Sequence, residues 1–125
     1  MKETISTNQA PSAIGPYSQA VCAGEWVFVS GQLGISPQGE MVSESAAEQA
    51  KQALENLRAI LREAGLDMEN VVQVTIFLTD IQQFSAVNEV YAQYFESPYP
   101  ARCCVEVSAL PRGGQVEIAA IARRP

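Results

Sequence analysis

Two ionisable side chains stand where the strand pattern of this chain calls for apolar ones. Arg102 opens a predicted strand just after Pro100-Ala101. Alternation puts Arg102, Cys104 and Glu106 on one face of it, and Ala101, Cys103, Val105 and Val107 on the other. At roughly 3.3 Å per residue, Arg102 and Glu106 lie about 13 Å apart and cannot neutralise each other. The guanidinium therefore needs another partner. Its planar fork fits a carboxylate through two parallel hydrogen bonds, and that carboxylate belongs either to a ligand or to another part of the same protein. Glu117 is the second such residue: it alternates with Val116 and Ile118 and shares a face with Ala119 and Ile121. A lone carboxylate on an apolar face is costly unless it is paired or hydrogen-bonded. With a raised pKa it can handle the protons of a water molecule; the other reading is a satisfied structural acid.

Other residues carry weaker signals. Tyr17, after Gly15-Pro16, either offers a hydroxyl to a site or simply packs. Ser30-Gly31 ends a strand, and a glycine there either lets a ligand approach the backbone amide or marks a turn. Asn88 falls on the inward side of the second helix, where an aliphatic residue is expected, and bonds to a loop or to a ligand. The thiols Cys103 and Cys104 read as small buried hydrophobes unless something lowers their pKa. As strand neighbours they point to opposite faces and should not bridge each other. Three cysteines are too few and wrongly spaced for a zinc site or a disulfide framework. No histidine is present, which excludes a Ser-His-Asp triad, a Cys-His dyad and any His-bearing metal site. Gly31 and Gly34 are not followed directly by a helix, so no phosphate-binding glycine fingerprint is formed.

At 125 residues, 47% hydrophobic and 18% charged, the chain predicts a single soluble domain spanning residues 1–125. Fourteen acidic against eight basic side chains give a net charge of −6, which offers no cationic face for nucleic acid. No apolar run has the length of a signal peptide or a membrane span, so the expectation is a cytoplasmic protein with reduced thiols and no membrane partner.

The elements that must position these residues follow from spacing. The first sixteen residues, with Pro11, Gly15 and Pro16, predict an ordered lead-in. Ser18 to Cys22 and Trp26 to Ser30 predict a hairpin around Ala23-Gly24-Glu25. Ser45 and Glu48 form a capping box for a first helix, along which Ala47, Ala50, Leu54, Leu57, Leu61 and Ala64 recur at helical spacing until Gly65. Lys51, Glu55, Arg58 and Arg62 make its solvated face. Val71 to Thr79 predicts a strand with Val72, Val74, Ile76 and Leu78 on one side. Asp80 and Gln83 then cap a second helix carrying Phe84, Val87, Tyr91, Tyr94 and Phe95 inward as far as Pro98. Strands over Arg102 to Val107 and Gln115 to Ala122 complete a ββαβαββ order, an α+β arrangement with a mixed sheet. Two helices cover one face of such a sheet. The other keeps apolar residues, Val71 and Phe77 among them, and predicts self-association.

Several of these residues also form a pattern. Ala13-Ile14-Gly15-Pro16-Tyr17-Ser18-Gln19, Ser30-Gly31-Gln32, Pro100-Ala101-Arg102, Cys104-Val105-Glu106-Val107, Leu110-Pro111 and Val116-Glu117-Ile118 occur in the order seen in the RidA family, the YjgF-type reactive intermediate deaminases. From about Ala10 to Ala122 the chain resembles that family. The resemblance implies a chorismate-mutase-like α+β fold, with two helices on one face of the sheet, forming a homotrimer with sites in the clefts between subunits. It implies hydrolysis of 2-enamine and 2-imine acids, such as 2-iminobutanoate and 2-iminopropanoate, to 2-oxo acids and ammonia, with no metal or organic cofactor. In that pattern Arg102 binds the substrate carboxylate and Glu117 positions the attacking water. Tyr17, the Gly31 backbone and the Cys104 carbonyl help to fix the substrate, with Ser30 and Asn88 nearby. Departures are Cys103 where serine or threonine is common, Ala119 where many members have a second glutamate, and a short Ser97-Pro98-Tyr99 segment. The competing reading is a sensor that holds a 2-oxo acid without turnover. An RNA-cleaving role is disfavoured by the negative charge and the absence of histidine.

Overall fold

The first helix forms where its cap and its apolar stripe predict it. In the computed structural model, which describes residues 2–125, α1 runs Ala46–Glu63 and the Ser45 hydroxyl accepts the Glu48 N–H at 3.3 Å. Gly65, at φ 79°, turns the chain away, and Arg124 donates to the Ala64 carbonyl at 2.8 Å, placing a cation at the negative end of the helix. Six strands make one sheet: β1 (Lys2–Ile5), β2 (Ala20–Ala23), β3 (Trp26–Leu33), β4 (Val71–Leu78), β5 (Ala101–Glu106) and β6 (Val116–Arg123). Their spatial order is β1-β2-β3-β6-β4-β5, with β4 and β5 parallel and every other pair antiparallel. The second helix, α2, runs Phe84–Tyr91 beside α1.

Both helices cover the same face of this mixed α+β sheet. Val27, Val29, Val74, Ile76, Leu78, Val116, Ile118 and Ala120 point toward them and are buried with Leu54, Leu57, Ile60 and Leu61 of α1. On the other face Phe28 pairs with Ile121, and Phe77 pairs with both Glu117 and Val105. Trp26, Phe28 and Val105 remain about 40% exposed there, at 42%, 43% and 39%.

Four sequence expectations are corrected. The lead-in contains a sixth strand: β1 pairs with β2, although Lys2-Glu3-Thr4-Ile5 lacks an apolar alternation, because pairing and not propensity holds this edge. The strand expected to stop at Ser30 continues through Leu33 after an irregularity between Val29 and Gln32. A bulge between Val71 and Gln73 resets the alternation, so Val71 is buried and Val72 faces water, the reverse of the predicted assignment. Asp80 accepts the Gln82 N–H at 3.0 Å and caps a turn of 3₁₀ helix over Ile81–Gln83, after which α2 starts without a side-chain cap and ends at Tyr91, well before Pro98. Beyond it, Tyr94 and Phe95 are drawn inward by tertiary contacts. The Tyr94 hydroxyl donates to Glu55 at 2.6 Å, and Phe95 stacks on Tyr91 at 4.5 Å. Glu55 and Arg58 thus belong to a half-buried contact between α1 and the segment after α2, with Arg58 donating to Glu55 at 2.6 Å.

Buried amides hold the loops to this frame. Asn56 donates to the carbonyls of Leu33 and Ile35, and Gln49 donates to Ser43 while accepting the Gln115 N–H. Gly34 fits beneath α1 only because it has no side chain: a Cβ there would lie 2.5 Å from the Gln49 Cα. A helix backbone cannot yield to a methyl group, so Gly34→Ala is expected to destabilise the fold by about 1–3 kcal/mol. Urea unfolding should show a lower midpoint with an unchanged slope.

Candidate active site

Glu117 sits where β6 meets the irregular end of β3. The Ser30 N–H donates to the Gln19 carbonyl at 2.9 Å, its hydroxyl donates to the Ser18 carbonyl at 2.6 Å, and Gln32 donates to the Ser30 carbonyl at 3.1 Å. This stitching carries Gly31 against the glutamate. A Cβ at position 31 would lie 2.8 Å from the Glu117 Cδ and 3.0 Å from its Cγ. The absent side chain lets the glutamate lie against the backbone, a methyl there would force its flexible end to move, and the strand-end reading of Gly31 as a mere turn is replaced by a packing reason. Glu117 is half-buried, and burial pushes its carboxyl above the usual carboxylate range. Among the described residues it belongs to no salt bridge.

A cavity of about 790 Å³ opens beside this carboxyl, lined by Tyr17, Ser30, Gly31 and Glu117, with Ile14, Leu33 and Arg112 on its walls. The Tyr17 loop is held by a buried side chain to which the sequence assigned no role. Gln19 donates to the carbonyls of Thr7 and Pro11 at 3.0 and 2.7 Å and accepts the Thr7 N–H at 2.7 Å. Its signal was a polar residue beside a strand's buried start. Arg112 was also missed, because the family pattern stops at Leu110-Pro111 and nothing in the Arg112-Gly113-Gly114 that follows marks a site. It adopts φ 60° and donates to the Gly39 carbonyl at 3.0 Å.

Arg102 belongs to a different face. On β5 it pairs with Val74, whose side chain is buried under the helices, and it reaches α2 rather than the cavity. Its Nη1 donates to the Asn88 Oδ1 at 2.7 Å, and its guanidinium carbon lies 4.7 Å from the Tyr91 ring centroid and 5.3 Å from that of Phe84. The intramolecular partner of Arg102 is therefore an amide and not a carboxylate. Asn88, expected to meet a loop or a ligand, meets Arg102. Glu106 is occupied separately, accepting the Ile81 N–H at 2.9 Å. Cys104 shares the face of Arg102, is half-buried, and burial pushes its thiol up, away from the thiolate needed for nucleophilic work. Cys103 is exposed on the opposite face, which corrects its expected burial.

Tyr17, Ser30, Gly31 and Glu117 thus come together, and Arg102, Asn88 and Cys104 come together, but the two groups do not meet within one chain. A guanidinium without a carboxylate partner and a carboxyl with a raised pKa occupy opposite faces of one sheet. Among the described residues, no three His, Cys, Asp or Glu side chains gather as a metal site, and no helix is long and apolar enough to cross a membrane.

The contact at Gly31 is testable by itself. Gly31→Ala should push the Glu117 carboxyl toward water while leaving the helix packing intact. Carbon-13 NMR of the glutamate carboxyls should then show the Glu117 titration moving down toward the ordinary carboxylate range; an unchanged titration would contradict the contact.

The chain matches the family profile described as Endoribonuclease L-PSP over residues 7–124. It is 55% identical over 122 residues to the RutC family protein y4sK of Sinorhizobium fredii, covering 97% of each chain. It is 54% identical over 123 residues to the 2-iminobutanoate/2-iminopropanoate deaminase of Bos taurus, covering 98% of this chain and 90% of that one. Among solved structures, E. coli TdcF with bound serine superposes with a TM-score of 0.93 at 44% identity, over 98% of this chain and 99% of that one. With the signature segments in place from end to end of that match, the chain belongs to the Endoribonuclease L-PSP family, the RidA or YjgF-type family that its sequence resembles.

Proposed function

We propose that this protein hydrolyses 2-imino and 2-enamino acids, such as 2-iminobutanoate and 2-iminopropanoate, to 2-oxo acids and ammonia. The observation that carries the proposal is the division of the two charged groups between opposite sheet faces. A second copy supplies what each face lacks: the Arg102 edge of one subunit closes over the Glu117 cavity of the next. Three copies in a chorismate-mutase-like homotrimer would make three such clefts and cover the apolar strip of Trp26, Phe28 and Val105. Mammalian relatives at about half identity bear the deaminase name, and the bound serine of E. coli TdcF has the α-carboxylate and size of the ligand expected here.

The chemistry follows from these groups. The Arg102 fork binds the substrate carboxylate and fixes the adjacent C=N carbon. Glu117 takes a proton from water as its oxygen attacks that carbon, giving an amino alcohol. That proton passes to the imine nitrogen to complete the neutral amino alcohol; the Glu117 carboxylate then takes the hydroxyl proton and delivers it to the amino group, so the C–N bond breaks, ammonia leaves and the C=O forms. An enamine first gains a proton at its terminal carbon to become the imine. Tyr17 and the Gly31 amide bound the cavity where the new oxygen develops, and the Cys104 carbonyl, with Ser30 near it, helps to hold the substrate's nitrogen end. The reaction asks only for water, a carboxylate and an anion-binding group. A carboxyl raised toward neutrality is a better base than an ordinary one, which favours hydrolysis over a site that merely retains a 2-oxo acid.

Glu117 must be ionised to act, so kcat should fall as pH drops through its raised folded-state pKa. Stability has the opposite sense: the folded state favours the protonated carboxyl, and stability declines as pH rises through that value. Glu117→Gln should therefore lower kcat on freshly generated 2-iminobutanoate by about 10²–10⁴-fold, with equal or greater stability at neutral pH. A kcat within about twofold of the parent would remove Glu117 from the mechanism.

Light scattering should give about three times the 13.5 kDa chain mass, and a clean monomer would eliminate the composite site. Arg102→Ala should cost at least about tenfold in kcat/KM with the trimer retained, and Arg102→Lys should recover little because it lacks the fork.

A further inference from the structure

The contacts around Arg102 come from one stripe of α2. Phe84, Asn88 and Tyr91 are spaced i, i+4 and i+7, which places them on a single helix face. Arg102 lies fourteen residues further along the chain from Asn88, on the edge strand, and receives all three contacts on its guanidinium. The amide takes one of the five N–H donors, on Nη1, and leaves the Nε–Nη2 edge of the fork for a second partner. The two rings lie 5.3 and 4.7 Å from the guanidinium carbon, within reach of a cation–π attraction that opposes swinging of the long side chain.

The chemistry of these three residues has a common feature: each attracts the guanidinium, and none brings a negative charge. Asn88 offers a neutral oxygen where aspartate would form an ion pair. Tyr91 is 5% exposed, and its hydroxyl, buried without a hydrogen-bond partner, is held in the phenol form by burial. The absent partner means that the ring, and not the hydroxyl, contributes the contact.

We propose that Phe84, Asn88 and Tyr91 are positioning residues that pre-orient the Arg102 fork, and that the neutral amide at position 88 keeps the full guanidinium charge available to the incoming carboxylate. The proposal rests on the reading of Arg102 as the carboxylate-binding group. An aspartate at 88 would hold the guanidinium equally well while competing with the ligand. Orientation and charge are thereby separable: Asn88→Ala removes the first, and Asn88→Asp removes the second.

The test uses the assembled full-length protein and 2-oxobutanoate as the probe. Nitrogen-15 NMR of the arginine side chains should show slowly exchanging, distinct Nη signals for Arg102 in the parent and in Asn88→Asp, and averaged signals in Asn88→Ala. Oxo-acid affinity should fall roughly 2–12-fold in Asn88→Ala, the equivalent of ordering one long side chain at the moment of binding. It should fall by about tenfold or more in Asn88→Asp, where a charge-assisted contact is diverted from the ligand. Tyr91→Leu should weaken binding, and Tyr91→Phe, which keeps the ring, should bind more tightly than Tyr91→Leu. Averaged Arg102 signals in the parent, or an Asn88→Asp affinity equal to that of the parent, would overturn the proposal. Arg102→Ala separates it from the functional reading: if that variant binds 2-oxobutanoate like the parent, the carboxylate role of Arg102 fails, whatever the NMR signals show.

Discussion

The constraint on which the rest depends is the register of three strands. Arg102 on β5 pairs with Val74 of β4, and Glu117 on β6 pairs with Phe77 of the same strand. Val74 and Phe77 are three residues apart, an odd number, so their side chains and those of their partners point to opposite faces. A slip of one residue in either pairing would bring both charges to the same side. As built, one face carries a cation against α2, and the other carries an acid beside the cavity and an uncovered apolar strip. Under the proposed function the site and the oligomer become one problem, because the apolar strip shares its face with the Glu117 carboxyl.

Beneath the cavity lies a set of side-chain amides that the apolar stripe of α1 does not announce. Asn56 and Gln49 are buried, yet each is spent on backbone groups of the loops that cross the helix. Gln19 performs the same service for the segment that precedes Tyr17. Such groups tolerate burial because each is satisfied, and Asn56 and Gln19 tie walls of the cavity, Leu33, Ile35 and Pro11, to fixed elements. The pocket is irregular backbone held by regular structure.

Much of this was legible in the sequence, for definite reasons. Ser45 with the stripe that follows gave α1, because capping and helical periodicity are local signals. Arg102 and Glu117 stood out because a charge that breaks an alternating strand needs a cause. What was hidden depends on distant pairing. Nothing local in Lys2-Glu3-Thr4-Ile5 reveals an edge strand, and nothing in Val71-Val72-Gln73 announces the bulge that exchanges inside and outside. The length of α2 was overestimated because Tyr94 and Phe95 continue its apolar pattern while their contacts with Glu55 and Tyr91 pull them out of the helix. The contact of Asn88 with Arg102 escaped for the same reason: helical spacing gave the stripe, but only the β4–β5 register says which side chain lands on it.

The missing side chain at Gly31 also sets the order in which this site can change over evolutionary time. While the acid at 117 occupies the space beside position 31, any larger residue there displaces it, so the glycine is held in place by the glutamate and not by its own backbone angles. A lineage that first gives up the acid is free to fill position 31 afterwards. The reverse order passes through an intermediate with a dislodged carboxyl. Loss of the two residues should thus be historically coupled, with the acid going first, and a descendant with a filled position 31 records that the carboxyl beside it had already been lost.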